Sequence, residues 1–177
     1  MKKYELTDKT KEIGGVTLHR IRALIDIPEH NVKAGDLGGW IEAERNLSQK
    51  GAAWVTGKAW VTGAARVTGA AWVTGSAWVM GAARVTGNAW VRGNARVMKS
   101  SDCITIGAIG SRDDTTTFYR GTDGGIYVSC GCFSGSIDDF AVEVKQVHAG
   151  TKHERTYLLA IELAKAQIAT AEEEDKC

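Results

Sequence analysis

Residues 51–98 read GAAWVT GKAWVT GAARVT GAAWVT GSAWVM GAARVT GNAWVR GNARVM, eight hexads without a gap. Gly opens every hexad, Ala stands third, Trp or Arg fourth and Val fifth. A period of six is too short for a strand plus a hairpin, and it carries no helical spacing. It fits one side of a triangular coil, with a short strand on each face and a turn at each corner. Successive side chains of an extended segment alternate, so positions three and five point inward and position four outward. Small Ala and branched Val suit a narrow, dry interior, and Gly eases the corner. Carried backward, the register gives GWIEAE (39–44) and RNLSQK (45–50), with Ile41 and Leu47 at the third position.

Three hexads make one coil, so every third hexad stacks on the same face at about 4.8 Å per coil. Sorting the outward residues this way gives three chemically distinct surfaces. One is Trp54, Trp72, Trp90; the second is Glu42, Trp60, Trp78, Arg96; the third is Ser48, Arg66, Arg84. An indole can bury roughly 150–250 Å², so the all-Trp ladder offers about 450–750 Å². That reaches or exceeds the largest apolar patch of a typical monomer, about 300–600 Å². Trp54, Trp72, Trp90, Trp60 and Trp78 are therefore expected to form an oligomer interface. A cyclic trimer would use the two Trp-bearing faces in heterologous contact. The alternative is that the chain's own N-terminal hairpin or C-terminal module covers the ladder.

The 177 residues are 44% apolar and 24% charged, the balance of a globular chain rather than a disordered one. Gly 21 beside Pro 1 is unlike a collagen or a flexible linker, because the glycines follow the hexad period. No run of about 18 apolar residues exists, and MKKYELTDKT lacks the apolar core of a signal peptide. Membrane spans are not expected. Cys103, Cys130, Cys132 and Cys177 form no obvious disulfide framework, so the chain reads as cytoplasmic with reduced thiols. The net charge of +1 conceals an asymmetry. Residues 51–98 hold Lys58, Arg66, Arg84, Arg92 and Arg96 and no carboxylate, whereas the tail ends in Glu172-Glu173-Glu174-Asp175. A basic rod attracts anions. Docking of the acidic C-terminal module on that surface is the plainer explanation.

Three segments follow from these patterns. Residues 1–38 form an N-terminal strand or hairpin that caps the first coil, since solenoid ends need covers. Residues 39–98 form the β-helix. Residues 99–177 form a small α+β module, with short strands expected at 103–110, 115–121 and 125–133. Its first helix starts after Ser136 with Asp139 three residues on, and Gly150 ends it. Thr151 and Glu154 open the final helix, whose Tyr157, Leu158, Ile161, Ala164 and Ile168 make an apolar stripe. The fold class is mainly β, with two C-terminal helices.

The Val-x-Gly-x-Ala-x pattern resembles the hexapeptide-repeat superfamily, whose fold is a left-handed parallel β-helix and whose members are often trimers. With GDLGGWIE (35–42) and GCFSGSIDDF (131–140), most of the chain is similar to small bacteriophage and prophage proteins often labelled only as transferases. That resemblance implies a phage or prophage origin and a place in the bacterial host cytoplasm.

Hexapeptide acyltransferases use a His near the coil as general base, and repeat-fold carbonic anhydrases use three His as metal ligands. His19, His30, His148 and His153 all lie outside residues 39–98. Acyl transfer from a CoA thioester would then lack its proton acceptor, unless His148 or His153 came from a neighbouring subunit. Cys130 and Cys132, two apart in an expected strand, share one face, but their spacing is not that of a zinc site. Asp113-Asp114 and Asp138-Asp139 read as turn and helix-start residues. No catalytic residue, metal or cofactor is expected. The leading expectation is a non-enzymatic oligomeric binding protein that counteracts host defence by binding an anionic target. That target would be a nucleotide-type signal or a host protein rather than long nucleic acid. Arg92, Arg96, Arg66 and Arg84 are the candidate ligand-binding residues, with Arg92 and Arg96 favoured because a corner of the last coil meets the C-terminal module there. An acyltransferase and a structural or assembly phage protein are the alternatives.

Overall fold

The computed structural model describes residues 1–168; the acidic run 172–175 and Cys177 lie outside the described residues. Each hexad contributes one two-residue strand: β4 (Trp54–Val55), β5 (Trp60–Val61), β6 (Arg66–Val67), β7 (Trp72–Val73), β8 (Trp78–Val79), β9 (Arg84–Val85), β10 (Trp90–Val91) and β11 (Arg96–Val97). They stack in parallel as three ladders, β4–β7–β10, β5–β8–β11 and β6–β9. This is a parallel β-helix of about three coils, with the three faces expected from an eighteen-residue repeat. The third-position alanines and fifth-position valines are at most 1% exposed along the whole array. Inter-coil hydrogen bonds run from each fourth residue to the third residue one coil on, as in Trp54 N to Ala71 O (2.9 Å) and Trp72 N to Ala89 O (2.8 Å). The corner glycines take positive φ, and the coils close tightly on them. A Cβ on Gly69 (φ 75°) would lie 2.9 Å from the Gly87 backbone.

The N-terminal hairpin, β1 (Tyr4–Ile13) and β2 (Val16–Ala23), pairs antiparallel with β3 (Leu37–Ile41), which pairs parallel with β5. The register corrects the reading of the first two hexads. Trp40 pairs with Trp60 and Ile41 with Val61, and Leu47 bridges Val67. Ile41 and Leu47 thus hold the fifth position, not the third. Trp40 and Asn46, not Glu42 and Ser48, occupy the outward fourth position. Gln49 and Lys50 are then two extra residues before the regular repeat. Gln49 has a use there: its side-chain oxygen accepts from Lys3 N (2.8 Å), and its amide donates to Tyr4 O (3.1 Å). Fully buried Asn46 donates to Gly63 O (3.1 Å) and Ala65 O (3.0 Å), and Lys3 Nζ donates to Ala53 O (2.6 Å). Backbone acceptors of the first coils are therefore met by side chains, Lys3 from the cover and Asn46 from the coil itself.

After the last coil come four antiparallel strands, β12 (Cys103–Ile109), β13 (Asp114–Arg120), β14 (Ile126–Cys130) and β15 (Phe133–Ser136), then α1 (Ile137–His148) and α2 (Lys152–Gln167). Both helix starts are as read, with Ser136 and Thr151 accepting from Asp139 N and Glu154 N. One strand is not. The expected strand 125–133 is a hairpin that turns at Gly131 (φ 55°) and Cys132, so Cys130 and Cys132 do not share a strand face. The four-stranded sheet closes the rod. Tyr119 and Tyr127 pack against the coil interior, while Phe118 and Val128 face Phe140, Tyr157 and Ile161 of the helices. Trp90 N has no further coil to bond, and Thr117 Oγ1 accepts it (3.0 Å). Asp102 Oδ2 likewise accepts Met98 N and Lys99 N (2.8 and 3.0 Å). Among the described residues no helix is long and apolar enough to cross a membrane.

Candidate functional site

The same repeat position meets different surroundings along the rod. On the all-Trp face, Trp54 is 1% exposed, with the Tyr4 ring edge-on at 6.3 Å. Trp72 is half-buried, because the His30 ring stacks on it at 5.1 Å, and Trp90 is half-buried at the C-terminal end. On the next face Trp60 is 7% exposed and Trp78 is 36% exposed. Of the five indoles expected at an interface, Trp54 is covered and Trp60 keeps only a small exposed edge. Trp78 and the free parts of Trp72 and Trp90 stay open on these two faces.

The arginines separate in the same way. Arg66 and Arg84 are exposed and stacked in register on the third face. Arg92 and Arg96 are half-buried on either side of the 121–125 turn, which sits on the last coil. Gly121 bridges Ala95, and Thr122 N donates to Asn94 O (2.9 Å). The turn is stiffened by Asp123, which accepts from Tyr127 Oη (2.7 Å) and Gly125 N (3.0 Å). The Tyr127 hydrogen bond first, then that of Gly125, holds the Asp123 carboxyl below its usual value, so it is an anion at neutral pH. Arg92 stacks over the Trp90 ring at 4.5 Å and lines a cleft of about 390 Å³ with Tyr119, Tyr127 and Asp123. Arg96 lines a second cleft of about 440 Å³ with Lys99, Arg120 and Asp102, and pairs in register with exposed Trp78 one coil back.

Pairing with the module's carboxylates was the plainer account of these arginines. Among the described residues none of Arg66, Arg84, Arg92 and Arg96 forms an ion pair. The buried pair of the corner is Arg120 with Asp102 (3.2 Å). Arg96 Nε is buried without a hydrogen-bond partner, which is a costly state for a charged donor. The corner can therefore offer guanidinium groups on both sides of a rigid turn, aromatic faces beside each, and one fixed carboxylate between them.

One histidine does reach the coil, contrary to what its place in the sequence suggested. The segment Pro28–His30 folds back along the rod and sets the His30 ring on Trp72. Both ring nitrogens are buried without a well-formed hydrogen bond. Burial holds the imidazole below its ordinary value, opposed in part by the nearby Ala70 backbone and the Glu29 charge. A general base needs an orienting hydrogen bond, and neither ring nitrogen has one among the described residues. No local pattern around residue 30 signals this contact; only the need to cover an indole ladder points to some visitor. Among the described residues no group of three or more His, Cys, Asp or Glu could hold a metal ion. Burial pushes the Cys103 thiol up to about 12, away from thiolate chemistry.

No protein-family model matches the chain. Comparison with curated proteins likewise found no relative.

Proposed function

We propose that this chain is a non-enzymatic binding protein that holds a nucleotide-type anion at the corner where the last coil meets the C-terminal module. The observation that carries this reading is Arg96. Among the described residues it has no ion-pair partner, its Nε is buried and unsatisfied, and it lies beside an exposed indole in a cleft shared with Lys99 and Arg120. Guanidinium suits phosphate oxygens, and an open indole face suits a base. Asp123 would accept from amino or hydroxyl groups of the same ligand. The hexapeptide-repeat resemblance adds an oligomer, with a trimer favoured, and a phage or prophage origin. From that origin comes the biological role: a cytoplasmic protein that counteracts host defence by sequestering a nucleotide signal or by binding a host protein's acidic surface.

The acyltransferase reading gains one observation, the His30 ring on the coil, and loses it again because neither ring nitrogen is oriented by a hydrogen bond. Calorimetry against mononucleotides, cyclic nucleotides and CoA, run beside an acyl-CoA turnover assay, separates the classes. Saturable nucleotide binding that weakens with added salt, and no turnover, supports the proposal. Acyl-CoA consumption would replace it with the enzyme, and absence of binding together with a virion location would replace it with a structural role.

A further inference from the structure

A second cleft, of about 260 Å³, lies on the all-Trp face and differs in charge from the corner just described. Three separate segments close it: the Pro28–His30 turn, the coil at Ala70, Asn88 and Trp90, and the C-terminal sheet at Asp114, Thr115 and Ser129. Among the described residues no Lys or Arg lines it. Its two carboxylates, Glu29 and Asp114, form no ion pair among the described residues. His30 lines the cleft at 7% exposure with both ring nitrogens unpartnered, and the indole N–H of Trp72, on which it stacks, is buried and unpartnered too. Native interiors seldom leave two adjacent polar side chains without a bond. Asn31 (φ 52°) and Asp113 (φ 47°), next in sequence to His30 and Asp114, are two of the three non-glycine residues with positive φ among the described residues. Such backbone gathers where surrounding structure holds a site in place.

We infer that this cleft binds a small organic ammonium cation, with Glu29 and Asp114 neutralising its charge, Trp90 offering a ring face and His30 accepting an N–H. The chemistry decides between ligand classes. Two unpaired carboxylates repel an anion, and an aromatic face beside them attracts a cation. A neutral imidazole adds an acceptor without adding opposing charge. Arg92, which stacks on Trp90, lines the neighbouring cleft rather than this one. The two sites therefore sort ligands by sign: anions at the 121–125 turn, cations here.

The test is calorimetry of the full chain with putrescine and with choline, and with glucose as an uncharged polar control. The expected result is saturable binding of at least one ammonium probe and none of glucose. Asp114→Asn should weaken it roughly tenfold. His30→Phe, which keeps the stack on Trp72 and fills the same space, should weaken putrescine while leaving the circular dichroism spectrum unchanged. Arg96→Ala should leave ammonium binding as it was, so a failure of the anion site is distinguishable from a failure of this one. Absence of heat with both cations, binding of glucose alone, or cation binding indifferent to Asp114→Asn would overturn the inference.

Discussion

Trp54 and Trp90 occupy the same position of the same repeat on the same face, two coils apart, yet their surroundings have little in common. Around Trp54 the chain closes: Tyr4 covers the ring, Lys3 and Asn46 answer the backbone of the first coils, and Gln49 ties the N-terminal hairpin to them. Around Trp90 it opens: an arginine lies on the ring, and one cleft lies to either side. The adjacent face repeats the contrast, from Trp60 at 7% exposed to Trp78 at 36%. The hexad thus decides where a side chain points but not what it does; the flanking modules decide that. The first coil is consolidated, whereas at the last coil Arg92 and Arg96 have no ion pair among the described residues and aromatic surface stays open.

The largest test of that contrast is a pair of truncations. Trp54→Ala should cost about 3–5 kcal/mol, as for other large buried aromatics. Trp78→Ala, at the same repeat position but 36% exposed, should cost distinctly less, about 1 kcal/mol. Urea denaturation of the two variants checks this, and equal losses would break the distinction between the coils.

A smaller effect comes from Lys3. Burial lowers its pKa from 10.5 to about 8. Between those values the unfolded chain holds a proton that the folded chain has released, so stability rises with pH across that window. Tyr4 acts the other way: burial first, then the nearby Glu44 charge, raises its pKa above the ordinary 10.0, which opposes the rise above about pH 10. The Cys103 thiol, raised by burial, opposes the rise in the same way above about pH 9, so the measured unfolding free energy should climb by about 1 kcal/mol from pH 7 to 9 and no further to pH 10. Lys3→Met should flatten the climb while leaving the Ala53 carbonyl unpaired.

Self-association gives the third test. If the proposed oligomer uses this face, Trp78→Glu should lower the particle mass seen by light scattering and leave the circular dichroism spectrum unchanged. An oligomer that survives would move the interface away from this face.

The period made the three faces and the core legible, because inward alanines and valines repeat without a break. Where the repeat degenerates, legibility stopped at parity. Positions three and five both point inward, so Ile41 and Leu47 fit either, and only the strand pairing exposes the Gln49–Lys50 insertion. The Cys130 to Phe133 segment carried its turn signal in Gly131, but an apolar run hid it. His30 was out of reach for a different reason: stacking between residues 30 and 72 leaves no local pattern. The covering of Trp54 by Tyr4 is equally distant along the chain and equally silent in the sequence. The arginines at the corner, by contrast, were legible, since the place where a repeat ends and an acidic module begins is written in order along the chain.

The most direct measurement is nucleotide calorimetry on Arg92→Ala and Arg96→Ala, with their urea midpoints taken beside it. Removing a guanidinium that pairs with phosphate at this corner should weaken binding roughly ten- to a hundredfold, with the larger effect at Arg96, while the midpoints hold to within about 0.5 kcal/mol. Lowered midpoints with binding unchanged would contradict the account and leave the two arginines as supports of the fold.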